Sequence, residues 1–375
     1  MDTEAKKILY AASTAGHLEN FHAPYINLLA RAGCRVTTCC RGRPETEGAA
    51  EHIEFPLEKK LASPRNFVLA ARLARSIREN RYDLISVHTS LAAFFVRLAL
   101  MMAGKRDTRV INTVHGYLFD GDTPAPKRRM MLAAEKITAP VTDRIITMNA
   151  WDDGLARREK LGGRISFTDG MGVDFKRFDG ADRAEARRAL GFSEGQFVIL
   201  CAAEFSSRKN QSMLIRAAAE LPEGAVLALA GTGDELERCR ELARSVPGRV
   251  RFLGYVNDMR MAWAAADVCV SASRYEGLPY NVMEAMYFAL PSVVSDVKGN
   301  NDLIKDGESG YLYPYDDASA CAEKLRALMG DAEKRRSMGA KAKEACRRYA
   351  LENVMPKMAG VLGEELGTDL LERQP

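Results

Sequence analysis

The hydrophobic positions of this chain follow two patterns that alternate along its length. Short apolar runs, typical of strands buried on both faces of a parallel sheet, are followed by longer stretches in which apolar residues recur at helical spacing. One complete repeat contains a strand at Asp267–Ser271, a turn with Gly277 and Pro279, a helix over 281–289 and a strand over 291–295. Strands that alternate with helices in this way predict a doubly wound parallel sheet.

The alternation occurs in two series, which predicts two α/β domains, residues 1–178 and 179–350. It pauses around Gly170–Phe178, and a new strand begins at Gln196. A chain of 375 residues with 47% hydrophobic content is long enough for two cores. In the first domain we predict strands at 8–12, 35–40, 83–87, 109–114 and 144–148 and helices at 18–32, 66–80, 90–103 and 150–160. In the second we predict further strands at 196–202, 225–230 and 249–253 and helices at 211–221, 234–246 and 258–265, with a mainly helical chain after Asp316.

Two glutamates flank the loop of the repeat described above, Glu276 before the predicted helix and Glu284 inside it. The loop lies at the carboxyl edge of a parallel sheet, where ligands bind in open α/β folds, and the N–H groups that start the helix favour an anion. A carboxylate beside such a site suits a phosphate ligand only if it faces hydroxyl groups. The pair therefore predicts a ligand that combines a sugar, a diphosphate and a ribose. The alternative, which spacing alone leaves open, is a helix-dipole acid and a solvated surface residue.

The residues around these glutamates carry a resemblance to a known family. The sequence S-x-x-E-G-L-P-x-x-x-x-E-A-M, followed by a strand, a Gly-Asn-Asn-Asp-Leu-Ile turn and Asp306-Gly-Glu-Ser-Gly-Tyr-Leu, resembles the donor site of family 4 retaining glycosyltransferases. Glu276 and Glu284 match the E-x7-E motif of that family. The resemblance extends across nearly the whole chain and is nearest to the bacterial branch that builds capsular and exopolysaccharide repeat units.

This resemblance implies the GT-B fold, in which two Rossmann-like domains face each other across a cleft. The N-terminal domain is then expected to bind the acceptor and the C-terminal domain the nucleotide-sugar donor. The last helix of that fold crosses back, so residues 351–371 are expected to pack on the first domain.

The resemblance also implies which residues hold the donor diphosphate. Lys209 matches a lysine that contacts it, whereas Glu204 stands where the family usually carries an arginine, so Arg208 is expected to supply that charge. The N–H groups of Gly277 and Leu278 complete the expected diphosphate site. A solvated loop without a ligand is the alternative interpretation of the Lys209 segment.

Other parts of the donor are assigned in the same way. Glu276 is expected to hold hydroxyls of the donor sugar, Glu284 the ribose diol and the backbone near Val256 the nucleobase. His115 matches a histidine placed over the donor sugar, with a core histidine as the alternative, and Gly16 is interpreted as the close-approach residue of a phosphate-facing loop. The expected donor-binding residues are Gly16, Arg208, Lys209, Val256, Glu276, Gly277, Leu278, Pro279 and Glu284, and the catalytic candidates are His115, Glu276 and Lys209.

The turn Gly231-Thr-Gly233 follows another predicted strand and has two interpretations, a phosphate-binding turn or a structural one. It lacks the third glycine of the dinucleotide-binding fingerprint. In the resembled family this turn is structural.

Neither of two potential metal motifs is expected to hold an ion. His17 and His22 are five residues apart, which places them on different faces of a continuous helix, and no carboxylate cluster completes a site. Asp120-Gly-Asp122 spells the D-x-D motif of another glycosyltransferase architecture, but it lies in the wrong domain for the donor and is interpreted as a pair of loop acids. We therefore expect no metal and no cofactor, with a UDP-linked sugar as substrate.

Charge and composition bear on location and partners. Residues 57–136 carry fifteen Lys or Arg against seven Asp or Glu, although the whole chain has a formal charge of only +4. A basic, Met-rich segment with Lys127, Arg128 and Arg129 predicts contact with an anionic membrane surface, and packing of its Met face on the core is the alternative. The longest apolar stretch, Leu91–Ala103, is short and interrupted by Arg97, so no membrane-spanning helix is expected.

Cysteine usage and the start of the sequence lead to a cytoplasmic assignment. The eight cysteines include no C-x-x-C pair, which favours reduced thiols, and the first residues lack the apolar core of a signal peptide. We expect a cytoplasmic protein, peripheral at the inner face of the plasma membrane, with no nucleic acid partner.

These observations together predict a retaining, metal-independent glycosyltransferase. It would move a hexosyl or N-acetylhexosaminyl group from a nucleotide sugar to a saccharide or lipid-linked acceptor in cell-surface polysaccharide synthesis. Two alternatives are a non-hydrolysing nucleotide-sugar epimerase, for which no acid/base carboxylates can be located in the sequence, and a non-catalytic nucleotide-sugar-binding subunit.

Overall fold

The computed structural model of the chain describes residues 5–105 and 107–372. The chain forms two compact units, one made of the residues up to Gly172 together with those from Leu351, and one made of Val173–Ala350. Each unit contains a parallel sheet whose strands are connected by helices. The α/β fold class with doubly wound parallel sheets, predicted from the alternating pattern, is confirmed in both units.

The first unit is built on a parallel sheet of seven strands among the described residues. They are β1 Lys7–Thr14, β2 Arg35–Arg41, β3 Ala49–Glu54, β4 Leu84–His88, β5 Arg109–Thr113, β6 Arg144–Thr147 and β7 Arg164–Phe167. Their order is β3-β2-β1-β4-β5-β6-β7, so the chain changes direction between β1 and β4. Every residue of β4 is buried, as expected for a strand covered on both faces. The switch point between β1 and β4 is where open α/β sheets form a ligand-binding crevice.

The helices of this part of the chain agree with the predicted pattern except near the N-terminus. They are α1 Ala15–Phe21, α2 Ala23–Arg31, α3 Pro64–Asn80, α4 Ser90–Ala103, α5 Ala125–Thr138 and α6 Ala150–Glu159, with a 3₁₀ turn at Ala139–Val141. The single helix predicted over 18–32 is wrong, because Pro24 stands at the start of α2 and ends the preceding helix. The chain therefore turns at His22, which changes the direction in which its ring points.

The second unit repeats the architecture with a parallel sheet of six strands among the described residues. They are β8 Phe197–Ala202, β9 Ala225–Ala230, β10 Val250–Gly254, β11 Val268–Ser271, β12 Ser292–Ser295 and β13 Gly310–Tyr313. The helices are α7 Arg183–Ala189, α8 Gln211–Ala219, α9 Leu236–Ala243, α10 Met259–Ala265, α11 Tyr280–Tyr287, α12 Asn300–Leu303, α13 Ala318–Gly330 and α14 Ala332–Cys346. The strand order β10-β9-β8-β11-β12-β13 places the switch point between β8 and β11. The loops that follow these two strands therefore lie side by side.

Residues 173–178 belong to the second unit, although the sequence analysis assigns them to the first domain. Val173 forms a bridge with Ala350, and the ring of Phe175 stacks on that of Tyr287 with centroids 4.8 Å apart. The pause in the alternation shows where this segment lies in the sequence. The aromatic contacts that attach it to the second unit cannot be inferred from the spacing of residues.

The C-terminal helix α15, Leu351–Leu366, belongs to the first unit. Arg144 of β6 donates a hydrogen bond to Glu365 of this helix at 2.8 Å, and Lys357 pairs with Asp169 at 2.8 Å. Arg144 also pairs with Glu364, and Arg164 pairs with Glu365. Together with a buried apolar face, these ion pairs attach α15 to the first unit.

A buried charge connects α4 to α5. Arg97, which interrupts the longest apolar stretch of the sequence, has no exposed surface and donates to Glu135 of α5 at 2.7 Å. Its remaining N–H groups reach the Ala93 carbonyl and the Thr142 hydroxyl.

Within residues 5–105 and 107–372, none of the helices combines the length and the apolar composition that crossing a bilayer requires.

Candidate active site

Three loops of the second unit carry predicted donor residues to one edge of its sheet. Arg208 and Lys209 follow β8, Val256 follows β10 and Glu276 follows β11, and the Gly231–Gly233 turn follows β9 at the same edge. All of these strands are parallel, so their carboxyl ends meet at the same edge. The sequence alone could predict this gathering, because the strand pattern fixes which loops share an edge.

Glu276 lies between two cations. Its Oε1 accepts from Lys209 Nζ at 2.5 Å and its Oε2 from Arg208 Nη1 at 2.9 Å. Arg208 also donates to the carbonyl of Tyr275 at 3.2 Å. The carboxylate is buried, with a side chain only 8% exposed, whereas Arg208 remains 34% exposed. The structure therefore brings together the three residues to which the sequence assigns the donor sugar and diphosphate.

The cations determine the ionisation of Glu276. Burial alone would raise the pKa of this carboxyl, but the charges of Lys209 and Arg208 and the hydrogen bonds from Lys209 and Ser273 outweigh it, so the pKa is lowered. A lowered carboxyl pKa means that the stabilisation is present above the unfolded-state pKa and is lost as the pH falls through the folded-state pKa. Glu276 is thus an anion at neutral pH and is a poor general acid.

Close glycine contacts fix the loops on either side of this cluster. A Cβ at Gly299, whose φ is +84°, would lie 2.8 Å from both Glu276 Cβ and the Gly277 carbonyl oxygen. On the other side, Gly231 and Gly233 pack against the backbone of Ala203 and Phe205, where a Cβ would lie within 2.3 Å of a carbonyl oxygen. The Gly231–Gly233 turn therefore supports the loop that leads to Lys209, which agrees with the structural interpretation of this motif.

Glu284 lies in a different environment on α11. Its Oε2 accepts from Trp263 Nε1 at 3.0 Å and its Oε1 from Arg177 Nη2 at 2.8 Å. Burial raises the pKa of this carboxyl, and the Trp263 hydrogen bond and the Arg177 charge only partly offset that effect. Trp263 and Arg177 were not identified from the sequence as site residues. No motif connects them to Glu284, and only the packing of α10 and of residues 173–178 brings them to it.

The start of α11 and the end of β10 provide the remaining predicted contacts. Gly277, Leu278 and Pro279 precede the first residue of α11, Tyr280, with Pro279 at the N-cap position. Val256 is half-buried just beyond β10.

Lys298 is a buried residue that was not predicted from the sequence. Its carbonyl accepts the Glu276 N–H at 3.1 Å, and its ammonium lies over the Tyr275 ring. Lys298 is thus a third cation beside the cluster.

The predicted residues of the first unit lie at the carboxyl edge of its own sheet. His115 follows β5 and is half-buried, and its Nε2 is 3.3 Å from Nδ1 of His88 at the end of β4. Gly16 is not in a loop, as predicted, but in the first turn of α1, because β1 continues to Thr14 and Thr14 caps the helix. A Cβ at Gly16 would meet only Asn20, at 3.9 Å, so no protein atom requires a glycine there.

The geometric argument against His17 and His22 as neighbours is wrong. The break between α1 and α2 turns His22 back, so that its Nε2 lies 3.3 Å from Nε2 of His17. With His115 they form the group of possible metal ligands found among the described residues.

Asp120 accepts a hydrogen bond from the Thr123 hydroxyl at 2.7 Å, a local turn contact that agrees with its interpretation as a loop acid.

Comparisons with known proteins agree with this geometry. The sequence family described as Glycosyl transferases group 1 matches residues 182–345, and the one described as Glycosyltransferase Family 4 matches residues 25–152. The putative glycosyltransferase EpsD of Bacillus subtilis is 30% identical over 98% of this chain and 99% of its own length. An Escherichia coli UDP-Gal:alpha-D-GlcNAc-diphosphoundecaprenol alpha-1,3-galactosyltransferase is 26% identical over 69% of each chain.

A solved structure gives the same result for the fold. The crystal structure of Anabaena Alr3699/HepE in complex with UDP and glucose superposes with a TM-score of 0.78 over 96% of this chain and all of the other, at 20% identity. The chain belongs to glycosyltransferase family 4 and has the GT-B class of fold. It is a glycosyltransferase, as its sequence predicts.

Replacing Gly299 by alanine should destabilise the second unit more than the same change at Gly307. Both glycines have positive φ, but a Cβ at Gly307 meets nothing within 4 Å. The backbone strain in that variant should therefore lower the free energy of unfolding by only about 1–2 kcal/mol. The Gly299→Ala variant adds a clash with the Glu276 loop and should lose roughly 3 kcal/mol or more. Denaturant unfolding of both variants measures the difference, and equal losses would show that the loop is not held by this contact.

Proposed function

We propose that this glycosyltransferase is a retaining enzyme that transfers a sugar from a UDP-linked donor to a lipid-linked saccharide without a metal ion. The observation that carries the proposal is the pairing of the buried Glu276 with Lys209 and Arg208 at the carboxyl edge of the second sheet. In this proposal Lys209 and Arg208 stabilise the leaving diphosphate together with the N–H groups of Gly277 and Leu278. Preorganised donors of this kind replace a divalent ion as the source of positive charge.

The state of Glu276 supports retention without a covalent intermediate. Both of its oxygens accept hydrogen bonds from cations, which weaken the carboxylate as a nucleophile but leave each oxygen a lone pair for a further donor such as a sugar hydroxyl. Glu276 would instead hold hydroxyls of the donor sugar, and the acceptor would attack from the face that the diphosphate leaves. Glu284 would bind the ribose diol, and the backbone near Val256 would bind the base.

The acceptor class is proposed from charge and from the relatives. The galactosyltransferase relative acts, by its name, on a diphosphoundecaprenol-linked sugar, and the sequence resemblance favours exopolysaccharide synthesis. In this structure Leu118 and Met130 are 43% and 51% exposed and line one surface groove, which also contains Lys59. Met130 follows Lys127–Arg129 on α5. Exposed apolar residues next to basic ones suit the surface of an anionic bilayer.

The reaction itself is tested by incubating the protein with a panel of nucleotide sugars and a diphosphopolyprenyl saccharide. We expect transfer from a UDP-sugar, with the anomeric configuration of the donor kept in the product when the linkage is examined by NMR. Inversion would contradict the retaining mechanism. Conversion of the nucleotide sugar without transfer would identify an epimerase, and binding without any product would identify a non-catalytic subunit.

Exchanging Glu284 for glutamine should weaken nucleotide-sugar binding by about 1–3 kcal/mol, because a charged hydrogen-bond acceptor for the ribose diol is lost. Glutamine keeps an oxygen for Trp263 and a similar volume, so the fold should survive. Calorimetry of donor binding gives the measurement, and Glu323→Gln on the exposed side of α13 is the control. Unchanged affinity in a folded Glu284→Gln protein would remove this residue from the site.

Turnover should not depend on magnesium or manganese. If side chains and backbone amides neutralise the leaving diphosphate, initial rates in EDTA should equal those with either ion added. The rates are compared on one enzyme preparation with the same donor and acceptor. Loss of activity in EDTA that magnesium or manganese restores would make Asp120 and Asp122 candidates for a metal site.

Removing the basic cluster of α5 should release the protein from anionic membranes. Each basic residue near such a surface contributes about 1 kcal/mol, so the Lys127→Ser, Arg128→Ser, Arg129→Ser triple variant should sediment far less with phosphatidylglycerol vesicles at low salt. The matched control removes three exposed bases from α14 with Arg336→Ser, Lys341→Ser and Lys343→Ser. Equal sedimentation of the wild type and both variants would contradict the membrane assignment.

A further inference from the structure

Four histidines of the first unit form one cluster at the carboxyl edge of its sheet. His17 lies in α1, His22 between α1 and α2, His88 at the end of β4 and His115 after β5. Their ring centroids are between 4.0 and 5.5 Å apart where the rings contact one another. We propose that His17, His22 and His115 form a binding site for a zinc-class transition-metal ion.

The spacing of the nitrogens fits such an ion. Two imidazole nitrogens bound to one tetrahedral zinc at about 2.0–2.1 Å lie about 3.3 Å from each other. Nε2 of His17 and Nε2 of His22 are 3.3 Å apart, and one nitrogen of His115 lies within 4.8 Å of both. His115 is half-buried and follows β5, and binding of an ion would require its ring to move closer to the other two.

The surrounding residues orient the ligands. The Tyr10 hydroxyl lies 3.0 Å from His22 Nδ1, which leaves Nε2 of that ring directed at His17. Ser86 contacts His88 Nε2 at 3.0 Å, so that His88 Nδ1 faces His115. Partners of this kind set the tautomer and the ring orientation of ligating histidines. The cluster therefore has three inner nitrogens and an outer set that includes Tyr10, Ser86 and His88.

The chemistry of the cluster selects a borderline-soft cation. The three ligand atoms that lie within reach of one another are all imidazole nitrogens. The ligand group contains no carboxylate among the described residues. Magnesium and manganese prefer oxygen ligands, whereas zinc binds imidazole well.

Three ligands leave a fourth position for water or another molecule, as in open zinc sites. The inference does not depend on the transfer mechanism, which assigns the diphosphate to residues of the second unit. It is therefore tested by binding rather than by turnover, so that its failure would leave the proposed function unaffected.

The experiment uses the full chain without an affinity tag, freed of metal by dialysis against a chelator and then titrated with zinc chloride in a calorimeter. We expect one zinc ion per chain with a dissociation constant of about 1 μM or below, because a partly preformed site needs little reorganisation. Cobalt(II) titrated in the same way should give ligand-field absorption without a thiolate charge-transfer band, which separates imidazole binding from binding to any of the eight cysteines.

His17→Ala removes one ligand from a partly exposed position on α1 and should weaken zinc binding at least about tenfold. His52→Ala is the matched control, since His52 lies on β3 with Thr38 and Glu54 as its partners, outside the cluster. His115→Ala should behave like His17→Ala, and circular dichroism checks that each variant is folded. The inference is overturned if the wild type binds no stoichiometric zinc, if cobalt binds through thiolates, or if His17→Ala and His52→Ala bind zinc equally well.

Discussion

The pairing of one buried carboxylate with two cations is the constraint on which the proposed donor site of the second unit depends. Lys209 and Arg208 are adjacent in one loop, and Glu276 comes from the loop after the neighbouring strand of the same sheet. Taking the Glu276 carboxylate out of water costs several kcal/mol, and Arg208 remains 34% exposed, so the cluster is not explained as a source of stability. The cluster instead positions side chains, because the carboxylate holds the like charges of Lys209 and Arg208 close to each other. The three side chains together leave one excess positive charge at the sheet edge, which suits the anion that we propose binds there.

The two glutamates of one motif have opposite electrostatic environments. Cations lower the pKa of Glu276, whereas burial raises that of Glu284. For Glu276 the contribution to stability is lost as the pH falls, and for Glu284 it is present below the unfolded-state pKa and lost as the pH rises through the folded-state value. An ionised Glu276 attracts and orders cations, whereas Glu284 is a poorly solvated acceptor that gains from each further hydrogen-bond donor. A hydroxyl pair is a ligand of that kind.

Much of this organisation follows from the sequence, because a parallel α/β sheet places the end of every strand at one edge. The predicted strands at 196–202 and Asp267–Ser271 are enough to infer that Lys209 and Glu276, which follow them, lie at the same edge of the sheet. The errors have local physical causes. Pro24 divides a helix whose apolar spacing is continuous, and β3 and β7 were missed because they lie at the two edges of the sheet and are only partly buried. Pattern alone gives weak signals at such positions.

The residues that could not be predicted are those whose partners are far away in the chain. Arg177 reaches Glu284 from a segment whose aromatic rings, such as Phe175, pack against Tyr287, and Trp263 reaches it from another helix. The histidine cluster is the clearest case, since its members come from four successive parts of the first unit and only the turn at His22 aligns two of them. The sheet edge of the second unit therefore gathers charged side chains, whereas the sheet edge of the first unit gathers histidine rings, although both units have the same architecture. The backbone determines where functional groups gather, and the side chains that happen to end each strand determine which ligand they suit.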